Sequence, residues 1–305
     1  MDFLLCAITY KCNSRCSFCD IWKKPHKKEL EPEDYKKLPF INTINITGGE
    51  PFLRNDIVQI VKILQKKSKR IVISTNGFLT KQIVEQVRKM PKVGVRVSID
   101  GINEIHDKLR GIKGGFNKAI KTIKLLKKNG LKDLGIGFTS SEQNIGELLK
   151  AYNLSKKLNV QFTNSIAHDS DIYFGENKKI ISNKEVLINE LRVLRKKQLF
   201  SLNPKNWFRS YFIEGLIWYI KGKAFELPCY AGKESFYLDP YGNVYPCNVL
   251  DMKLGNIRED KLNKILGSKE INLKSCKKCW MVCRVGPSMK KNKLKVIKRI
   301  ICNYL

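Results

Sequence analysis

The 305-residue chain reads as an α/β protein, a partial (βα)6 barrel of parallel strands followed by a small cysteine-rich C-terminal domain. Three observations carry that expectation. Short apolar or alternating runs at 3–9, 43–47, 70–74, 93–99, 134–139 and 160–163 are interleaved with amphipathic stretches at 56–67, 80–89, 116–129 and 145–158. Strand–helix alternation builds right-handed βαβ units, hence a parallel sheet. Six strands, where a complete barrel has eight, make a partial barrel or an open sheet. Polar, glycine-bearing segments follow several strands, and the ten cysteines are divided between the two ends of the chain.

Each element has a local reason. In 116–129, Ala119, Ile120, Ile123, Leu125 and Leu126 interleave with lysines at helical period, and Gly130 supplies a left-handed closing residue. After residue 163 the alternation stops, and the polar segment NSIAHDSDIYFGENKK leads into two expected helices at 184–197 and 206–221. The second of these is rich in aromatic residues, Trp207, Tyr211, Phe212 and Trp218 among them, which is the composition of a packing face. Pro228 and Cys229 open a region of short turns in which LDPYGNVYPC reads as a hairpin. The expected boundary lies near residue 225: a core over 1–225, with its barrel ending near 165, and a C-terminal domain over 226–305.

With 43% hydrophobic and 28% charged residues, the composition is globular. The start, MDFLLCAITYKC, lacks the basic region and cleavage site of a signal peptide. The longest apolar stretch, 207–220, is broken by Arg209 and Glu214 and falls short of the ~20 residues a bilayer requires. A cytoplasmic protein is expected. The net charge of +30 comes from 46 Lys and 12 Arg, with the lysines spread along the solvent faces of the helices. Arginine is the better residue for bidentate phosphate contacts, so specific nucleic-acid binding is not expected. An anionic substrate drawn in by the field remains compatible. In the tail, SMKKNKLKVIKRIICNYL, a stripe of Leu294, Ile297, Ile301 and Leu305 is widened by Val296, Ile300 and Tyr304. That stripe is expected to dock on the core, with weak contact to an anionic membrane surface as the alternative.

Cys12, Cys16 and Cys19 fall within eight residues at the end of the first strand, and in a reducing compartment such clusters point to metal or iron–sulfur binding. Closed zinc and iron–sulfur sites usually have four protein ligands. Three thiolates can hold three irons of a four-iron cube and leave the fourth to a small molecule bearing an amine and a carboxylate. Zinc with a distant fourth ligand such as His26 is the alternative. A second set, Cys229, Cys247, Cys276, Cys279 and Cys283, would suit zinc or iron–sulfur on spacing alone. Cys6 and Cys302 read as plain core thiols.

The C-x3-C-x2-C spacing, with GGEP at 48–51 after the next strand, resembles the radical S-adenosylmethionine (radical SAM) superfamily over about residues 3–165. The resemblance implies that Cys12, Cys16 and Cys19 hold a [4Fe–4S] cluster and that Phe18 lies against the adenine of S-adenosyl-L-methionine. Gly48, Gly49, Glu50 and Pro51 match the loop that receives the methionyl amine. Ser98 in SIDG and Arg110 in HDKLRG match cosubstrate contacts, and Asn76 in STNG belongs to the same rim. In such enzymes one electron splits the sulfonium, and the 5′-deoxyadenosyl radical takes a hydrogen atom from the substrate. Downstream, C-x12-G-x4-C resembles the opening of the SPASM/twitch auxiliary-cluster extension. The later C-x2-C-x3-C departs from the full pattern. That favours one auxiliary [4Fe–4S] cluster, held by Cys229, Cys247 and two of Cys276, Cys279 and Cys283.

The resemblance implies an electron donor such as flavodoxin or ferredoxin. The expected function is hydrogen abstraction from a small, anionic or sugar-containing substrate. The alternatives are a maturase for a ribosomally made peptide and a non-enzymatic iron–sulfur redox or metal-sensing protein. Only eleven residues precede Cys12, which weighs against a separate peptide-docking domain before it. A non-enzymatic role would have no need of GGEP or Phe18.

Overall fold

The computed structural model describes residues 1–170, 172–176, 181–223, 225–267, 271, 276 and 279–302. Strand β1 (Phe3–Thr9) is followed by β2 (Ile41–Gly48), α1 (Ile57–Gln65), β3 (Ser68–Thr75), α2 (Thr80–Arg88) and β4 (Val93–Ser98). Then come α3 (Glu104–Arg110), α4 (Gly115–Lys128), β5 (Leu134–Ser140), α5 (Leu148–Lys157) and β6 (Gln161–Ile166). Two long helices, α6 (Lys184–Leu199) and α7 (Pro204–Ile220), lead to β7 (Ser235–Leu238), β8 (Asn243–Tyr245) and β9 (Gly255–Asn256). Helices α8 (Leu262–Gly267), α9 (Val282–Lys291) and α10 (Lys293–Cys302) complete the described chain.

Among the described residues the strands form one sheet, ordered β6-β5-β4-β3-β2-β1-β7-β8-β9. β1 to β6 are all parallel, as the strand–helix alternation requires. β7 joins the far edge of β1 in parallel, and β8 and β9 continue antiparallel. The sheet therefore runs from the first strand straight into the cysteine-rich segment, a continuity that strand periodicity does not reveal. The expected hairpin is present: Asp239 Oδ1 accepts from the N–H groups of Tyr241 (2.9 Å) and Asn243 (2.8 Å), and Gly242 takes φ +91° in the turn.

All seven residues of β1 are buried. Their alternation divides two cores: Leu4, Cys6 and Ile8 pack toward the helices, while Phe3, Leu5 and Ala7 face the barrel interior with Tyr10, Tyr173 and Tyr237. Burial pushes the Cys6 thiol up to about 12, in keeping with an inert core thiol.

The main departures from expectation have local causes. Helix α3 lies in a short polar stretch that hydrophobic periodicity passes over, and Gly111, at φ +66°, closes it. α5 begins at Leu148 because a short 3-10 turn at Glu142–Asn144 occupies the preceding segment. The aromatic face of α7 does pack: Trp280, fully buried, sits among Tyr211, Phe212, Trp218 and Phe225. A Cβ on Gly215 would stand 1.9 Å from the Trp280 ring, so only glycine lets α7 and the indole approach.

The C-terminal stripe departs further. α10 docks with Val296 and Ile300, while Leu294, Ile297 and Ile301 face outward. Arg299 pairs with Glu214 of α7 at 2.9 Å in this orientation. Cys302, expected in the core, is exposed, and Tyr304 and Leu305 lie outside the described residues. Among the described residues no helix is long and apolar enough to cross a membrane.

Candidate active site

The cysteine loop after β1 is pinned to the end of α3. The last-turn carbonyls of a helix lack intrahelical partners. Here Leu109 O accepts from Ser17 N and Arg110 O from Arg15 N, both at 3.0 Å, and Ser14 Oγ donates to Arg110 O at 2.7 Å. Ser14 Oγ also stands 3.2 Å from Cys16 Sγ. Cys16 is buried, and Cys12 and Cys19 are half-buried. Burial, with a smaller contribution from the neighbouring cysteines, pushes the Cys12 and Cys19 thiols up to about 12. Three thiols are thus held close together in a poorly solvated loop, where a bound cation would favour their thiolate forms.

GGEP locks onto the same loop through its backbone. Gly49 N donates to Thr9 O and Glu50 N to Lys11 O, both at 2.8 Å. A Cβ on Gly48 would stand 2.1 Å from Thr9 O, and one on Gly49 2.1 Å from Lys11 O. Gly48 also has φ +127°. Both glycines are required by this close approach of β2 to β1. Gly48 O accepts from the Tyr173 hydroxyl at 3.2 Å.

Glu50 is wholly buried and braces β2 to β3. Its Oε1 accepts from Thr75 Oγ1 at 2.8 Å and from Phe52 N at 3.2 Å, and its Oε2 from Asn76 N at 2.7 Å. Burial raises its pKa to about 7, against the pull of those donors. Pro51 opens a short 3-10 turn directly after it. Asn76 Nδ2 donates to Asn13 Oδ1 at 2.7 Å, tying STNG to the cysteine loop.

Arg110 closes the rim. Its Nε donates to Asp100 Oδ2 at 2.6 Å, its Nη1 stands 3.6 Å from Cys16 Sγ, and its guanidinium lies 5.4 Å from the Phe18 ring centre. Burial alone would lower the Arg110 pKa, but Asp100 and Cys16 outweigh it and raise it. Ser98, at the end of β4 in register with Gly137, is half-buried on the same rim. Asp100, in SIDG beside Ser98, was missed as an individual residue by sequence reasoning. It is fully buried, and Thr139 N donates to its Oδ1 at 2.7 Å. His106 is buried behind it, its Nδ1 accepting from Asp100 N at 3.2 Å.

The second cysteine set also gathers. Cys279 and Cys283 are buried; Cys229, Cys247 and Cys276 are half-buried. The Cys247 thiol, pushed up to about 11 by burial, also feels Cys229 and Cys276. Cys279 feels Cys283, Cys247 and Cys229, and Cys283 feels Cys247 and Cys229. Two buried donors beside these thiols have no protein partner: Asn248 Nδ2 and Arg284 Nη1. Asn248 Oδ1 is 3.6 Å from Cys283 Sγ, and Arg284 is stacked over Phe225 and Trp280. Buried donors are rarely left unsatisfied, and an anionic, sulfur-rich group among these thiols would satisfy them.

Among the described residues no three His, Cys, Asp or Glu side chains converge on a single-ion site. The thiols of each set are neighbours, and a four-iron cube would take each thiolate at a separate corner. Both donor sets fit such a group. Between them runs the inner core of the barrel, from Cys19 through Tyr173, Tyr10 and Tyr237 to Cys283. Tyr10 and Tyr237 share a hydrogen bond at 2.7 Å, and the Tyr173 and Thr47 hydroxyls another at 2.9 Å.

Comparison with known proteins settles the family. A radical SAM superfamily model matches residues 6–153, and an iron–sulfur cluster-binding domain model, SPASM, matches residues 229–284. The chain belongs to the radical SAM superfamily. Membership brings a [4Fe–4S] cluster with S-adenosylmethionine, and the SPASM match brings an auxiliary iron–sulfur cluster. This radical SAM chain is 28% identical over 273 residues to the antilisterial bacteriocin subtilosin biosynthesis protein AlbA of Bacillus subtilis. That match covers 86% of the chain and 58% of AlbA, so the chain spans less than two thirds of that relative's length. It is 29% identical over 246 residues to an AdoMet-dependent heme synthase of Methanosarcina barkeri, covering 74% of this chain and 68% of that one. The structure of native anSMEcpe with bound AdoMet and the Cp18Cys peptide superposes with a TM-score of 0.64 at 19% identity, over 92% of this chain and 86% of that one. The shared fold is a partial parallel barrel with a C-terminal extension.

Proposed function

We propose that the chain is a radical SAM peptide maturase. In this reading Cys12, Cys16 and Cys19 hold the cosubstrate-binding cluster. The observation that supports it best is the set of three mutually interacting thiols locked, through Thr9 and Lys11, to GGEP on the same strand rim. When bound and reduced, such a cluster supplies one electron to S-adenosylmethionine, and the 5′-deoxyadenosyl radical so formed takes a hydrogen atom from the substrate.

The protein's own residues bind and orient. Phe18 offers a ring to the adenine and Ser98 a hydroxyl to the cosubstrate. Arg110, fixed by Asp100, places a cation against Cys16 Sγ. Glu50 and Asn76 act through position, by holding GGEP and STNG against the cysteine loop. The tyrosine-lined interior excludes water from the space a substrate would enter. Cys229, Cys247, Cys279 and Cys283 hold the auxiliary cluster in this reading, with Cys276 beside it. The boundary near 225 separates the two cluster-bearing parts in sequence, although β7 joins them in one sheet.

A peptide substrate is favoured by the AlbA relationship, which extends over most of this chain. A small anionic substrate is the second reading, favoured by the net charge of +30 and the heme synthase relationship. Incubating the reduced, cluster-loaded protein and S-adenosylmethionine with a deuterated candidate precursor peptide, should a short peptide gene neighbour its own, tests the first. Deuterium in the 5′-deoxyadenosine, with a mass change in the peptide, supports a maturase. Cosubstrate cleavage with neither change rejects the peptide as substrate.

A further inference from the structure

At the end of the barrel opposite the cysteine rim, a cleft of about 450 Å³ opens where β5 and β6 begin and α5, α6 and α7 meet. That volume suits a small molecule. Lys132, Lys156 and Arg209 line it, and among the described residues no Asp or Glu does. The rings of Tyr152 and Phe162, edge to face with centres 5.5 Å apart, supply an aromatic wall.

Charge in this region is unbalanced. Among the described residues Arg209 is held by neutral amides, its Nη2 donating to Gln161 Oε1 at 2.6 Å and its Nη1 to Asn206 Oδ1 at 2.8 Å. The carboxylate next to that network, Asp133, is taken by Arg96 at 2.7 Å and Arg70 at 2.8 Å. Burial, and then Arg96 and Arg70, lower the Arg209 pKa and outweigh the opposite pull of Asp133, whose carboxylate is already shared by those two arginines. A second feature is independent of charge. Gln198, 3% exposed, lines the cleft, and its Oε1 has no hydrogen-bond partner. A buried acceptor left unpaired is costly, so the site also lacks a donor.

We propose that this cleft binds a phosphate-bearing small molecule that presents anionic oxygen to Arg209 and a hydrogen-bond donor to Gln198 Oε1. The site is separate from the radical centre and independent of its assignment. Inorganic phosphate supplies both needs, because near neutral pH it keeps an O–H that sulfate lacks; a phosphate monoester, with a second pKa of about 6, would bring the donor from elsewhere in the molecule.

The test is calorimetric titration of the cluster-loaded protein with inorganic phosphate and, separately, with sulfate, near neutral pH at constant ionic strength. One saturable phosphate site per chain is expected, with sulfate weaker by roughly fivefold for want of the neutral bond to Gln198. Arg209→Gln should weaken phosphate binding by about tenfold or more, the loss of a charge-assisted contact. Lys81→Gln, on the exposed side of α2, removes the same charge and should leave binding unchanged. Gln198→Leu should erase the preference for phosphate over sulfate. Should that variant unfold, Arg209→Gln decides alone. Absence of saturable binding, equal affinity for the two anions in the wild type, or wild-type affinity in Arg209→Gln would overturn the proposal.

Discussion

Arg110 and Asp100 form a buried pair joining the end of α3 to the loop after β4, with Nε to Oδ2 at 2.6 Å and a second contact from Nη2. Asp100 is fully buried, and its pKa is raised by burial against the opposing pull of Arg110. Breaking one side of such a pair strands the other charge. Arg110→Met should therefore cost about 3–5 kcal/mol of stability. In a double-mutant cycle, Asp100→Asn in the Arg110→Met background should cost much less than it does alone. Denaturant unfolding measures this; additive losses would mean the pair is not coupled.

Glu50 makes stability depend on pH. Its folded pKa of about 7 lies above the ordinary 4.5, so the folded state binds more protons between those values. Stability should then be greatest below pH ~4.5 on this group's account and fall as pH rises toward ~7, by about 3 kcal/mol at most. Glu50→Gln should flatten that window. Unfolding free energies measured across it, for wild type and variant, give the comparison.

Gly49→Ala places a methyl group 2.1 Å from Lys11 O. The expected cost is about 1–3 kcal/mol, with separation of GGEP from the cysteine loop. Iron content after anaerobic reconstitution should fall alongside the unfolding temperature. Full iron content in a destabilised variant would show that the two loops need not touch for the cluster to bind.

Asn248 Nδ2 is a buried donor with no protein partner, on a residue touching Cys283. A donor to cluster sulfur stabilises the reduced, more negative state. Asn248→Leu should lower the auxiliary reduction potential by roughly 40 mV, the equivalent of one ordinary hydrogen bond. Redox titration followed by electron paramagnetic resonance reads the shift. An unchanged potential would place the amide away from the cluster.

The barrel was legible because its signals are local. β1 and β4 are short apolar runs, and each is followed by a loop bearing cysteine or glycine. The grouping of Cys12, Cys16 and Cys19 in one short loop after β1 was legible for the same reason. What escaped notice depends on distant contacts. Nothing around Asp100 foretells a partner ten residues along on another element, and β7 pairs with a strand over two hundred residues earlier. The tail misled because its longest apolar stripe is not the face that docks: Val296 and Ile300 turn inward, on the side where Arg299 meets Glu214. Gly48 and Gly49 were read as a cosubstrate loop, and their strictest requirement is the proximity of Thr9 and Lys11.

The most direct measurement is iron content and 5′-deoxyadenosine release, compared between the wild type and a Cys12→Ala, Cys16→Ala, Cys19→Ala triple variant after anaerobic reconstitution and reduction. The wild type should hold about eight irons, as two four-iron cubes require, and split S-adenosylmethionine. The variant should keep roughly half the iron, in the auxiliary site, and release no 5′-deoxyadenosine. Release by the variant at the wild-type rate, or a wild type that takes up only zinc, would contradict the assignment of the radical centre to these three thiols.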